Sequence, residues 1–163
     1  MTTTHYIVGM VIPLSLALLP PQMDSPAARA MLVSIGLQES RFAHRRQIGG
    51  PARSFWQFER AGVSAVLRHQ VSRPGAMGVL ASMGYRPDSM TVYEAIEHND
   101  ILACCFARLL LWAHPGRLPE RDEMNYGWQV YLESWRPGKP HPGSWPECFI
   151  SGWGGEWPGT TRA

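Results

Sequence analysis

Apolar positions along the chain fall into four stretches with helical spacing. The first, Tyr6 to Leu19, is almost unbroken apolar sequence and stops at Pro20-Pro21. The second opens on Asp24-Ser25-Pro26, with Ser25 suited to the N-cap and Pro26 to the first helical position. From there Ala28, Met31, Leu32, Ile35, Glu39 and Phe42 recur at three- and four-residue steps, so one face is apolar except at Glu39. A third helix is expected from the capping-box pattern Thr91-Val92-Tyr93-Glu94, with a stripe of Val92, Ile96, Asn99, Ala103, Phe106 and Leu110. The fourth is expected to begin near Pro119, to carry Met124, Trp128, Tyr131, Leu132 and Trp135, and to end at Pro137-Gly138. Gly62 to His69 reads as a weaker helix followed by a turn at Pro74-Gly75.

Two stretches lack this periodicity. Ala43 to Arg60, with Gly49-Gly50-Pro51 in its middle, is too rich in turn residues for a helix, and Ser54 to Phe58 fits a short strand or a structured loop. Residues 136 to 163 hold five Pro, six Gly and three of the seven Trp, and read as an extended tail. The expected fold class is therefore mostly α. It combines a helical domain over residues 1–136, a small loop or β-hairpin element after the second helix, and a Pro/Gly/Trp-rich tail over 137–163. A length of 163 residues suits one core, and 16 Gly with 14 Pro exclude a long coiled coil.

Composition narrows the function classes. The chain has 14 Arg and a single Lys, Lys139, yet its net charge is only +2, too small to argue for nucleic-acid binding. Three Cys (104, 105 and 148) and six scattered His offer no metal-ligand spacing, no disulfide framework and no cofactor motif. The apolar N-terminal run imitates a signal peptide, but no Lys or Arg precedes Arg29. It carries Pro13 and is shorter than the roughly 20 residues of a spanning helix. A buried first helix, no export signal and no stable membrane insertion are expected.

Glu39 is the most informative position. A carboxylate on the core-facing stripe is costly if ionised, so desolvation should raise its pKa, and such an acid can protonate a leaving oxygen near neutral pH. Two other arrangements fit the same periodicity: a buried Glu satisfied by Arg41 or a backbone N–H, and a helix end turned to solvent.

The surrounding residues favour the first. Gln38-Glu39-Ser40-Arg41-Phe42, followed by Ala52-Arg53-Ser54-Phe55-Trp56-Gln57, resembles the lytic transglycosylase branch of the lysozyme superfamily. That family has a Glu-Ser pair at a helix end, a Phe two residues after the Ser, and a Gly-Ala-x-Gly-Leu-Met-Gln-type loop. Here Ser54 stands where the family has Gly, Phe55 where it has Leu and Trp56 where it has Met. Glu97-His98-Asn99-Asp100-Ile101 resembles the family's later Asn element with one residue inserted. A Tyr supporting the catalytic Glu is matched by Tyr131, which is preferred, or by Tyr126.

The resemblance covers roughly residues 23 to 136 and implies a lysozyme-like α+β fold acting on peptidoglycan glycan strands. Glu39 would protonate the MurNAc–GlcNAc β-1,4 oxygen, then take the proton of the muramoyl 6-hydroxyl as it attacks, giving a 1,6-anhydro product. Ser40, Ser54, Phe55, Trp56, Gln57, Asn99 and Tyr131 are the implied substrate-side residues, with Phe55 and Trp56 able to stack on sugars or to be core. The Arg-rich stretch Arg41, Arg45, Arg46, Arg53 and Arg60 could form a rim for carboxylates, a solvated surface, or ion pairs within the chain.

Without an export signal, such an enzyme fits a bacteriophage product made in the host cytoplasm and released to the cell wall or carried in a virion. The Trp-rich tail would then dock on a virion or tail protein. Two rivals are a hydrolysing muramidase or chitinase-like enzyme using Glu39 with Glu59, and an inactive virion or tail-assembly protein of the same fold.

Overall fold

The computed structural model describes residues 1–154 of the chain. The first apolar run is helical along its length but not uniformly: α1 (Thr3–Tyr6) passes through a π-helical turn (Ile7–Val11) into α2 (Ile12–Ala17). The wide turn lies just ahead of Pro13, whose ring would crowd the carbonyl four residues back, and the Ile12 N–H reaches Ile7 O instead. Ile7, Val11, Ile12 and Leu16 are buried, and Ser15 Oγ bonds to Val11 O (2.6 Å) and Ile101 O (3.1 Å). No described helix is long and apolar enough to cross a membrane.

Helix α3 (Pro26–Ser40) starts where its residues dictate, with Ser25 Oγ accepting from the Ala28 N–H (3.1 Å) and Pro26 in the first turn. It runs through the middle of the fold, burying Ala28, Met31, Leu32 and Ile35. After the loop 41–59 come α4 (Arg60–Arg68) and α5 (Arg73–Met83). Helix α5 stands where the sequence suggested a turn at Pro74-Gly75. Pro74 lies in the first turn, where its missing N–H has no intrahelical partner to lose, so it opens the helix rather than breaking one.

The single third helix expected from residue 91 is two helices, α6 (Ser89–Ala95) and α7 (Asp100–Trp112). Asp88, not Thr91, caps α6, accepting from the Thr91 N–H (2.9 Å) and hydroxyl (2.8 Å). Asn99 caps α7 through the Leu102 N–H (3.0 Å). Its polar side chain is thus a boundary signal, not an interruption in a continuous stripe. Helix α8 (Met124–Trp135) begins later than Pro119, because 119–123 form a turn in which Glu123 accepts from the Glu120 N–H (2.8 Å).

The C-terminal stretch departs most from expectation. Residues 142–152 are not extended: a 3₁₀ turn (Pro142–Ser144) leads into α9 (Trp145–Gly152). Trp145, Cys148 and Phe149 are buried, and α9 packs along α3. Gly152 makes the close approach possible, since a Cβ there would lie 2.0 Å from Ser34 Oγ and 2.5 Å from Ala30 O. Pro146 sits in the first turn of α9, so the Pro and Gly that argued against a helix are its start and its contact point. Trp157, the third Trp of this stretch, and the rest of 155–163 lie outside the described residues.

The fold is mostly helical, as expected. Its β content among the described residues is two isolated antiparallel bridges in the loop after α3, Arg46 to Arg53 and Arg53 to Phe58. The three Cys are free and buried, and burial pushes their thiols up.

Candidate functional site

The last turn of α3 and the loop after it form one clamped unit. Arg41 (φ 55°) and Phe42 (φ 52°) are both left-handed and reverse the chain. That reversal folds the Phe42 ring onto Gly36, where a Cβ would sit 2.1 Å from the ring. Ser40 Oγ donates to Phe55 O (2.7 Å) and accepts from the Phe42 N–H (3.2 Å). Ser40 is 3% exposed, so it ties loop to helix rather than facing a ligand.

Ser54 adopts φ 69°, a backbone state that costs a non-glycine residue roughly 1–2 kcal/mol. Its Oγ accepts from the Trp56 N–H (3.2 Å) and its carbonyl accepts from Gln57 Nε2 (2.7 Å), so local hydrogen bonds hold the turn that glycine would take freely. Phe55 and Trp56, expected as sugar-stacking candidates, are core residues at 2% and 0% exposure. Trp56 Nε1 donates to Leu32 O (2.8 Å), and the Phe42 ring packs edge-on against both. The left-handed residues on either side, Ser54 and Gln57 (φ 52°), bracket the two buried rings, and Gln57 lines the opening.

Glu39 points the other way, into a cleft of about 1260 Å³ that Gln57, Glu59 and Tyr131 also line. The Tyr131 hydroxyl donates to Glu39 Oε1 at 2.5 Å. Burial pushes the Glu39 carboxyl up to about 7, and the Tyr131 hydrogen bond, which favours the anion, opposes only part of that rise. Tyr131 is held from behind: the Trp145 ring stacks on it at 5.4 Å and 10°, and Trp145 Nε1 donates to Met124 O (3.0 Å). Helix α9 therefore supports the phenol that holds the carboxyl. Tyr126, the other Tyr considered, instead donates to Arg117 O (2.7 Å).

Asn99 is not in this cleft. Besides capping α7, its Nδ2 donates to the Tyr85 hydroxyl (3.3 Å) and contacts Met83 Sδ (3.9 Å), a junction between α5 and α7.

The arginine cluster is largely paired within the chain. Arg45 makes a two-pronged bond to Asp100 (2.8 Å each), Arg46 (3.2 Å) and Arg53 (2.5 Å) share Glu97, and Arg41 reaches Glu147 on α9 (3.1 Å). These pairs hold the loop against α6–α7 and α9, so the anionic-ligand rim gives way to tethering. Arg60 bonds Ser89 Oγ (3.2 Å).

The sequence did not single out the rest of the cleft. Four of the six His (44, 69, 114 and 141) line it, with Lys139, Trp135, Ser134 and Glu133. Trp135 is the aromatic placed to meet a ligand, its ring fixed by Nε1 donating to Trp56 O (2.8 Å). The sequence places it on the stripe of the fourth helix, and no sequence signal tells a cleft-lining ring from a core one. The wall formed by 136–141 is held by Gln38, whose Nε2 donates to His141 O (2.9 Å) and whose Oε1 accepts from Ser144 (3.0 Å). Among the described residues no group of three or more His, Cys, Asp or Glu side chains is placed to hold a metal ion.

No protein-family model, curated protein or solved structure matches this chain.

Proposed function

We propose that the chain is a peptidoglycan lytic transglycosylase with a lysozyme-like catalytic unit and Glu39 as its acid and base. The observation that carries this reading is a buried carboxyl, its pKa pushed up to about 7, hydrogen-bonded by Tyr131 and opening into a cleft of about 1260 Å³. Two features support the resemblance noted in the sequence. Ser54 holds the left-handed backbone that a Gly at that position would supply, and Gln57 lies in the same cleft as Glu39.

With its pKa raised into the neutral range, Glu39 gives its proton to the glycosidic oxygen as the C1–O bond breaks. The carboxylate left behind, stabilised by the Tyr131 hydroxyl, accepts the proton of the muramoyl 6-hydroxyl as that oxygen bonds to C1. Glu39 regains its proton, and no water enters the products. One carboxyl serves both steps, whereas hydrolysis uses two.

A hydrolysing muramidase is the second reading, favoured by one observation: Glu59 lines the same cleft. Mass spectrometry of digested sacculi distinguishes the two, because anhydro-muropeptides are lighter than hydrolysed ones by one water. Zymography of wild type beside Glu39→Gln tests the activity, with at least a hundredfold loss expected, roughly the lower bound for a general acid. Equal clearing by both, or none by wild type, overturns the enzymatic reading in favour of a structural virion protein. In the catalytic reading the protein is a phage product, its action at the cell wall following release or virion delivery.

A further inference from the structure

Glu133 and His114 form a second polar unit in the cleft that the proposed chemistry does not use. His114 follows the end of α7 and its side chain is 7% exposed; Glu133 projects from α8 at 65% exposure. The Gly116 N–H donates to His114 Nδ1 (3.1 Å), so Nδ1 is the acceptor nitrogen and Nε2 carries hydrogen. Nε2–H then donates to Glu133 Oε2 at 2.6 Å. A buried ring with one fixed tautomer thus orients an exposed carboxylate, whose side-chain partners among the described residues are limited to His114.

Helix geometry separates this carboxylate from the reacting bond. Tyr131, which holds Glu39, and Glu133 are two residues apart on α8, so their side chains leave the helix about 200° apart. Glu133 therefore leaves α8 on the side away from Tyr131, and it too lines the cleft. An exposed carboxylate held in place by one oxygen keeps the other free to accept from paired hydroxyls or an acetamido N–H of a sugar.

We propose that Glu133, oriented by His114, is a substrate-binding carboxylate for a sugar unit away from the bond that is cleaved. From the functional reading the proposal takes only that an N-acetylhexosamine chain occupies the cleft.

The test uses the full chain carrying Glu39→Gln, titrated calorimetrically with the N-acetylglucosamine tetrasaccharide and with isolated glycan strands. Adding Glu133→Gln is expected to weaken binding about tenfold, the loss of one hydrogen bond to a charged group. Adding His114→Leu should do the same, and His114→Gln, which keeps an N–H donor, should recover most of it. With Glu39 restored, the loss from Glu133→Gln should fall on KM and not on kcat. Unchanged affinity in both Glu133→Gln and His114→Leu, with a lowered Tm, overturns the proposal and leaves a structural hydrogen bond between α8 and the residues after α7. A loss confined to kcat overturns it as well. If wild type binds the tetrasaccharide through Glu133 but clears no sacculi, this inference stands and the transglycosylase reading falls.

Discussion

Glu39 combines a catalytic opportunity with a stability cost, and the two have the same origin. Its folded-state pKa of about 7 lies above the ordinary 4.5, so the native state binds the proton more tightly than the unfolded chain. The associated stability is complete below about 4.5 and is lost as pH rises towards and past 7. Glu39→Gln removes that loss. It is expected to abolish clearing while raising stability at pH 8 by up to about 3 kcal/mol, with little gain at pH 4.5. Paired thermal melts at the two pH values check this; equal shifts at both would refute a protonated buried Glu39. Acid catalysis should likewise fall as pH rises through about 7. Removing the Tyr131 hydroxyl takes away a bond to the anion, so Tyr131→Phe should move the alkaline limb of the rate profile to higher pH and lower its height. A limb that stays in place would separate Tyr131 from the titrating group.

Among the secondary elements, caps and close approaches explain both what was legible and what was not. Ser25-Pro26 is a start signal that depends on nearby atoms alone, and α3 begins there. The same logic applied to Thr91 failed because Asp88, three residues earlier, offers a stronger acceptor. Asn99 shows how one residue type supports two readings: a polar side chain at helical spacing is either an interruption in a stripe or a boundary between two helices. Asn99→Ala is therefore expected to cost about 1 kcal/mol, as lost caps do, with catalytic rate per folded molecule retained. Denaturant melts and specific activity measure the two effects, and a large rate loss at normal stability would return Asn99 to the site. Gly152 makes a sharper claim about α9. Gly152→Val drives a side chain into Ser34 and the Ala30 carbonyl, and should destabilise by several kcal/mol because backbone cannot yield as a side-chain tip can.

The described residues share a single core to which the N-terminal helices and α9 both contribute. Trp145 and Phe149 are nearly fully buried, and deleting a buried aromatic side chain costs about 3–5 kcal/mol. Removing both takes most of the roughly 5–15 kcal/mol that holds a domain together. A chain ending at 141 is thus expected to be insoluble or to lose its cooperative transition. Circular dichroism melts beside the full chain check this, and an unchanged melt would show α9 to be dispensable. Trp145→Ala, milder, should also lower activity, because it frees the ring on which Tyr131 leans.

Where α3 begins, and that Glu39 occupies an otherwise apolar stripe, could be read from residue order, since caps, proline and periodicity act over one or two turns. That Tyr131 bonds Glu39 in a cleft shared with Gln57 was decided by the tertiary structure, because spacing carries no information on contacts across 92 residues. Other features followed from packing alone. Whether Phe55 and Trp56 face sugar or core depends on the Ser40 clamp, and whether arginines form a rim depends on where Asp100, Glu97 and Glu147 fall. The Pro- and Gly-rich end shows the difference most clearly. Its composition is that of a linker, yet Pro146 can open a helix and Gly152 can touch a neighbour. That helix is worth forming only against the face of α3, which supplies the burial that so short a segment lacks in isolation.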